Sequence, residues 1–201
     1  MPGCTETKAI GLMGRTYRLL NRMGMRVPPH LKEIGPWGAL KSGIRVWYQD
    51  ILHNLARFSP LFGPFAARWV RPALYRRMGA MVGRNVFFGQ DVFIDPGNAA
   101  WITIEDDVGI GARTMIYAHR RNFDHYCKGM RISDLEYVFA PVHIKQGASI
   151  GVGSIILPGV VIGQGAVIAA GSLVNKNVPP FTLAAGYPVK ILKEFPDSPD
   201  S

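Results

Sequence analysis

A repeat of six residues runs through the second half of the chain and restricts its fold more than any other feature. It is plainest in the stretch IGVGSIILPGVVIGQGAVIAAGSLV, residues 150–174. The apolar series comprises Val82, Phe88, Ile94, Ile104, Ile110, Ile116, Ile144, Ile150, Ile156, Ile162, Ile168 and Val174. Four places after most of these stands a second small or β-branched residue: Val86, Val92, Val108, Thr114, Ala148, Ser154, Val160, Ala166, Ser172 and Val178. Both positions are predicted to point inward.

A six-residue unit holds one short strand and one turn, so three units can close a triangular coil. Successive coils would stack at the parallel-strand spacing of about 4.8 Å. Glycine directly follows the inward residue at Gly83, Gly89, Gly111, Gly151 and Gly163, as a tight corner requires. The period therefore predicts a parallel β-helix. Its hand does not follow from the period, because the general rule for parallel crossovers favours right-handed connections.

Two interruptions of the period indicate where function lies. Ile94 and Ile104 are ten residues apart, which leaves a surplus of four around PGNAAW. Ile116 and Ile144 are 28 residues apart, which is not a multiple of six. The second segment is predicted to leave the helix as a loop, residues 120–141. Loops that project from a rigid scaffold often carry function, so this loop is the first candidate for the site.

The first 81 residues are predicted to form a basic helical arm. Residues 1–80 hold 13 of the 23 Lys and Arg and 3 of the 14 Asp and Glu, so the whole charge excess lies there. A nearly neutral repeat domain argues against nucleic-acid binding. The segments GRTYRLLNRMGMR, VWYQDILHNLARF and RWVRPALYRRMGAMVG read as helices, and Val46, Ile51 and Leu55 have helical spacing. The arm packs on its own domain or on a neighbouring subunit, or it lies on an anionic membrane.

The sequence predicts a cytoplasmic protein. It contains no uncharged apolar run of about 18 residues, and arginines interrupt any signal-like core near the start. Cys4 and Cys127 lack the spacing of metal ligands and are interpreted as thiols in a reducing compartment.

The repeat, with the end ILPGVVIGQGAVIAAGSLVNKNVPPFTLAAGYPVKILK, resembles the hexapeptide-repeat acyltransferases. The resemblance covers about residues 82–193, and it is greatest to sugar O- and N-acetyltransferases such as the maltose and galactoside enzymes. It implies a left-handed β-helix, acetyl-CoA as co-substrate, no metal, and a homotrimer with active sites between subunits. The predicted organisation is an arm at 1–81, a β-helix domain at 82–193 and a tail at 194–201, which makes the fold mainly β.

Histidine is the usual general base near neutral pH, and attack of a hydroxyl on a thioester needs such a base. His119 is predicted to end the last regular strand before the loop, TMIYAH, and IYAHRR resembles the catalytic junction of the family. His125, six residues further on, is the alternative candidate for the general base. His119, His125 and His143 could instead bind zinc, as in β-helical carbonic anhydrases. A non-catalytic β-helix scaffold is the third hypothesis.

The acceptor site is predicted from resemblance and from residue type. Asp95, in VFIDPG, matches a substrate-binding aspartate of related sugar acetyltransferases, although a turn-capping role is equally open. The asparagine that usually accompanies it has no match near Phe88 and Gly89. Arg121 and Tyr126 in the loop are candidates to contact a nucleotide-sugar or glycan.

The coenzyme site is predicted from resemblance alone. Val152 and Ala170 would line the pantetheine, Asn175 and Lys176 would follow, and Lys190 and Lys193 would face the phosphates, which a lysine meets as a point charge. The chain departs from the family pattern at Asn177, Tyr187 and Val189, and none of these changes removes a cation. The predicted function is acetyl transfer from acetyl-CoA to a sugar, in the building of a cell-surface polysaccharide.

Overall fold

The computed structural model describes residues 36–58 and 65–197, and residues 65–197 contain a left-handed parallel β-helix. The predicted helix at 14–26 and Cys4 lie outside the described residues. The strands are β1 Met81–Val82, β2 Phe87–Phe88, β3 Phe93–Ile94, β4 Ile102–Ile104, β5 Gly109–Ile110, β6 Met115–Ile116, β7 His119–Arg121, β8 Tyr137–Phe139, β9 Val142–Ile144, β10 Ser149–Ile150, β11 Ile155–Ile156, β12 Val161–Ile162, β13 Val167–Ile168, β14 Leu173–Val174, β15 Thr182–Ala185 and β16 Lys190–Glu194.

Three parallel sheets form the faces of the helix. Sheet A has the order β1-β4-β9-β12, sheet B runs β2-β5-β10-β13-β15-β16, and sheet C runs β3-β6-β11-β14. Ile150 pairs with Ile168, and Ile156 pairs with Val174, so each residue meets the one 18 places later in the next coil. The predicted coil of three six-residue units is confirmed. Strand β16 departs from the pattern, because it runs antiparallel to β15.

The core is the series of inward residues predicted from the period. All of the first series from Phe88 to Val174 are buried, and so are all ten residues of the second series. Val82, in the first coil, is half-buried. The corners need glycine because the coils approach closely: a Cβ on Gly111 would lie 2.6 Å from the backbone nitrogen of Val152 in the next coil. This close approach, rather than an unusual backbone angle, excludes a side chain there.

Both interruptions leave the repeat as predicted. The four-residue surplus after β3 forms a turn at Asp95 and a 3-10 helix at Ala99–Trp101. The longer segment contains strands β7 and β8, which pair with each other, and a 3-10 helix at Ile132–Asp134. Cα packing divides the described residues into two units: one contains residues 36–47 and 121–138, and the other contains residues 48–58, 65–120 and 139–197.

Two described helices precede the first strand, as the sequence predicts: α1 at Pro36–Phe58 and α2 at Arg71–Arg77, with a π-helical turn at Ala66–Val70 before α2. Side chains of α2 satisfy the backbone of the first coil. The buried Tyr75 hydroxyl donates to the Val92 carbonyl at 2.7 Å, and Arg71 donates to the carbonyls of Ala56 and Phe88 at 3.1 and 2.9 Å. Neither described helix is long and apolar enough to cross a membrane.

The buried face of helix α1 is not the one that the apolar residues Val46, Ile51 and Leu55 predict. Leu52, His53 and Ala56 are buried, whereas Val46 and Leu55 are more than half exposed. His53 packs edge-on against Phe93 of β3, with ring centroids 4.9 Å apart. Neither of its ring nitrogens has a hydrogen-bond partner among the described residues. Burial, followed by the charge of Arg57, lowers the pKa of His53 to about 4.

Replacing His53 with leucine should reduce the loss of stability in acid. Between the unfolded pKa of 6.5 and the folded pKa of about 4, only the unfolded chain binds a proton at His53. The free energy of unfolding of the wild type therefore falls as the pH drops through this range, by up to about 3 kcal/mol from this residue. Urea unfolding between pH 4 and 7 measures the slope. His125→Leu, in the exposed loop, should keep the wild-type slope; an unchanged slope in His53→Leu would refute the assignment.

Candidate active site

The turns that follow the strands of sheet C lie above one another along one edge of the β-helix, here called the C–A edge because they lead to sheet A. The first of these turns begins at Asp95 and the next at Tyr117. The Asp95 backbone nitrogen donates to the Ile116 carbonyl at 3.1 Å, which stacks the two turns directly. Side chains of two neighbouring turns can therefore touch, although they are more than 20 residues apart in sequence.

Asp95 and His119 meet at this edge. Asp95 Oδ2 contacts His119 Nδ1 and also accepts the backbone N–H of Ala118 at 3.1 Å. The side chain of Asp95 is 3% exposed and that of His119 is 28% exposed. The carboxylate is thus held inside the turn while the imidazole reaches the surface. Asp95 serves the turn as well, because its backbone carbonyl accepts the N–H of Asn98 at 3.2 Å.

Asn98 completes the cluster and was missed by the sequence analysis. Its Nδ2 lies 3.2 Å from Asp95 Oδ1 and 3.1 Å from His119 Nδ1. The family resemblance predicts an asparagine near Phe88 and Gly89, where the repeat is regular, and none stands there. The four-residue surplus was the signal that could have located it, because those residues need not follow the coil and can turn toward the next one.

The contacts decide which nitrogen of His119 carries the proton. An ionised carboxylate accepts but cannot donate, so its close contact with Nδ1 requires a hydrogen on Nδ1. Asn98 Nδ2 then donates to Asp95 Oδ1 rather than to the protonated ring nitrogen. Nε2 is left with the lone pair. An aspartate that orients an imidazole and stabilises its protonated form is the arrangement by which a histidine acts as a general base.

His119 occupies the junction expected from sequence with one difference. It begins strand β7 instead of ending the strand of the repeat, which stops at Ile116. The Ala140 backbone N–H donates to the Ala118 carbonyl at 2.9 Å, which ties the two ends of the loop together beside His119. The backbone of the residue is therefore fixed from both sides.

His143 lies in β9 on sheet A, away from the C–A edge. Its Nε2 is 2.6 Å from Glu105 Oε1. The backbone N–H of Gln146, donating to Glu105 Oε2 at 2.9 Å, is the main cause of the lowered pKa of Glu105, and His143 adds to it. Within residues 36–58 and 65–197, no group of three or more His, Cys, Asp or Glu side chains is placed to hold a metal ion. The geometry gives no support to the zinc alternative.

Val152 and Ala170 stack on a different edge, the B–C edge formed by the turns that follow sheet B. The Gly171 N–H donates to the Val152 carbonyl at 2.8 Å, and both side chains face solvent. Small residues and stacked backbone make this edge accessible to an extended ligand. Sheet C separates it from the edge that carries His119.

The other predicted coenzyme residues fall into two groups, all of them exposed. Asn175 and Lys176 lie on the C–A edge, two coils beyond the turn of His119. Lys190 and Lys193 lie on β16, opposite Ala185 and Leu183. Asn177, a departure from the family pattern, accepts the Val161 N–H at 2.8 Å and so caps its turn.

Arg121, Tyr126 and His125 belong to the unit that contains residues 121–138. The guanidinium of Arg121 lies 3.8 Å from the ring centroid of Tyr137, and its Nη1 donates to the Leu135 carbonyl at 2.5 Å. Tyr126 packs edge-on against Phe123. The partners in these contacts belong to the same unit.

Nitrogen-15 NMR of histidine-labelled protein should find His119 as the Nδ1–H tautomer. Asp95→Ala removes the acceptor, so the population should move toward Nε2–H, the form usual for a solvated imidazole. His143 is the internal control, because Glu105 holds it as Nε2–H whatever stands at position 95. An unchanged His119 signal in the variant would contradict the role given to Asp95.

Residues 141–176 match the family model described as bacterial transferase hexapeptide (six repeats). The galactoside O-acetyltransferase of Escherichia coli strain K12 is 33% identical over 131 residues, which are 64% of this chain and 62% of that protein. The chain thus spans about 60% of the length of the curated relatives that it matches first.

Two solved structures have a similar fold, each with a TM-score of 0.60. A maltose O-acetyltransferase from Clostridium difficile 630 is 25% identical, over 77% of this chain and 88% of that one. A hexapeptide-repeat acetyltransferase from Vibrio cholerae O1 biovar eltor, complexed with acetyl coenzyme A, is 26% identical, over 78% of this chain and 90% of that one. These matches confirm the likeness to the hexapeptide-repeat transferases that the sequence predicts, at residues 141–176 for the family model and across the β-helix for the fold.

Proposed function

We propose that this protein transfers an acetyl group from acetyl-CoA to a hydroxyl or amino group of a sugar, with His119 as the general base. The observation that carries the proposal is the contact of Asp95 with His119 Nδ1 at the edge of a hexapeptide β-helix. Similarity to a galactoside and a maltose acetyltransferase, and to an acetyltransferase that binds acetyl coenzyme A, supports the donor and the class of acceptor.

In the proposed reaction, His119 Nε2 removes the proton of the acceptor hydroxyl as its oxygen attacks the thioester carbonyl carbon. The tetrahedral intermediate then collapses, the carbon–sulfur bond breaks, and the imidazolium returns its proton to the departing thiolate. The products are the acetylated sugar and coenzyme A. Asp95 stabilises the imidazolium between the two steps, and Asn98 keeps the carboxylate in place.

The positions of the two edges of the β-helix favour an active site shared between two subunits. Val152 and Ala170 offer backbone and small side chains to the pantetheine on the B–C edge, while His119 lies on the C–A edge. A coenzyme bound along the first edge can reach a His119 only if another subunit supplies it. We therefore propose a homotrimer in which one subunit contributes His119 and its neighbour contributes the Val152 edge. Asn175, Lys176, Lys190 and Lys193 supply amide and cationic contacts to the nucleotide end.

Arg121 and Tyr126 are proposed to contact a nucleotide-sugar or glycan acceptor, and a cytoplasmic role in cell-surface polysaccharide synthesis fits such a substrate. The β-helix domain at 82–193 carries the chemistry in this proposal. The arm at 1–81 serves location or assembly, because it holds the charge excess without a catalytic grouping.

Helix α1 supports a membrane role for the arm. Six large apolar side chains follow one another at helical spacing and are each at least 37% exposed: Trp37, Leu40, Ile44, Trp47, Ile51 and Leu55. The exposed Lys41 and Arg45 lie beside this stripe. An apolar stripe with tryptophans and flanking cations suits the interface of an anionic bilayer.

His119→Ala should lower turnover by roughly 10²- to 10⁴-fold, the usual contribution of a positioned acid–base group. Folding and coenzyme affinity should survive, because the proposed coenzyme residues belong to later coils. Thiol release with a panel of sugars measures turnover, and calorimetry with coenzyme A measures binding. The control His125→Ala should lose far less. If His119→Ala kept near-normal turnover while His125→Ala lost it, the general base would be His125 in the loop and the proposal would be wrong.

Vesicle sedimentation tests the membrane proposal. The protein should sediment with anionic vesicles at low salt, and less at high salt, because the cations are screened. Ile44→Glu places a charge in the stripe and should reduce recovery severalfold. Ser42→Glu adds the same charge on another side of α1 and should reduce it less. Equal recovery with anionic and neutral vesicles, or equal effects of the two variants, would refute the proposal.

A further inference from the structure

Two exposed aromatic side chains lie beside the cluster of Asp95, Asn98 and His119. The ring of Phe139, the last residue of β8, has its centroid 6.2 Å from that of His119. Trp101, the last residue of the 3-10 helix, stacks beside Phe139 with centroids 6.0 Å apart and an angle of 22° between the rings. Each side chain is 44% exposed. Together they form an exposed aromatic surface, here called the aromatic platform.

The scaffold does not require this platform. The aromatic residues of the buried core are Tyr75 and Phe88, and neither Trp101 nor Phe139 belongs to it. Both platform residues come from the places where the repeat is interrupted, Trp101 from the surplus after β3 and Phe139 from the end of the loop. The same surplus supplies Asn98. Both interruptions thus add side chains around one imidazole.

The composition of this surface matches a small-molecule site. Such sites combine apolar and aromatic walls with a few polar groups that fix orientation. Here the wall is the platform and the polar groups are His119 and Asn98. A pyranose ring has the complementary character, because one face presents carbon-bound hydrogens and the rim carries hydroxyls.

We propose that the platform is the acceptor subsite, on which a pyranose ring lies with its C–H face against Trp101 and Phe139. A ring in contact with Phe139, at the usual carbon–carbon distance of about 3.5–4 Å, would have a rim hydroxyl near His119. The inference rests on the proposed function and deepens it, since it names the face of the sugar that is bound and the side chains that bind it.

If the platform is the acceptor subsite, its substitution should change the KM for the acceptor but not the KM for acetyl-CoA. Trp101→Ala and Phe139→Ala should each raise the acceptor KM by about tenfold or more, which corresponds to about 1.4 kcal/mol of lost contact. The KM for acetyl-CoA and the oligomeric state should stay unchanged. Trp69→Ala is the control, because Trp69 is another exposed tryptophan, 72% against 44% for Trp101, and lies in the π-helical turn before α2.

A binding experiment separates this proposal from the catalytic one. Saturation-transfer NMR with a panel of methyl pyranosides reports sugar protons near aromatic rings without turnover. We expect signals from one sugar face with the wild type and with Trp69→Ala, and their loss with Trp101→Ala. Sugar binding that persists in an inactive protein would support the subsite while refuting acetyl transfer.

Three results would overturn the subsite. No methyl pyranoside binds the wild type; or sugar binding is the same in Trp101→Ala as in the wild type; or Trp101→Ala weakens acetyl-CoA binding or trimer assembly instead. The last result would assign the platform to the coenzyme or to a neighbouring subunit.

Discussion

The in-register stacking of one coil on the next is the constraint on which the rest of the structure depends. Inward residues of sheets A, B and C pair with equivalent residues of the next coil. The partners are 18 places apart where the repeat is regular, as for Ile150 and Ile168, and further apart across the interruptions, as for Ile116 and Ile156. Because side chains alternate between faces, a slip of one residue would turn the aliphatic series outward. The stacking also brings backbones so close at the corners that Gly111 has no room for a Cβ. The result is a rigid frame whose edges have fixed positions.

A rigid frame makes its interruptions informative. Neither the ten-residue interval after Ile94 nor the 28-residue interval after Ile116 fits the period, so residues there are released from the coil. The first interruption supplies Asp95, Asn98 and Trp101, and the second begins at His119 and ends at Phe139. The stacking of the turns at Asp95 and Tyr117 then places both sets at one edge. A polar cluster with a partly exposed imidazole arises where regularity ends.

The fold could be predicted from the sequence because the period repeats often enough to fix inside and outside for each residue. His119 and Asp95 could be named singly, but their contact could not, because it depends on how two irregular turns meet across coils. Asn98 was missed for the same reason: the repeat gives no register within the surplus. The buried face of α1 could not be chosen either, because Leu52 and Ala56 on one side and Trp47, Ile51 and Leu55 on another are all apolar. The two edges that carry Val152 and His119 became distinct only once the coils were closed.

A crystal structure of the complex with coenzyme A tests the central claim most directly, namely that His119 acts on a thioester held by another subunit. The coenzyme sulfur should lie within about 4 Å of His119 Nε2, close to the distance of a near-attack geometry. The pantetheine should run along Val152 and Ala170 of the neighbouring subunit in a trimer. A sulfur atom far from every His119, or a coenzyme bound within a monomer at another edge, would contradict it.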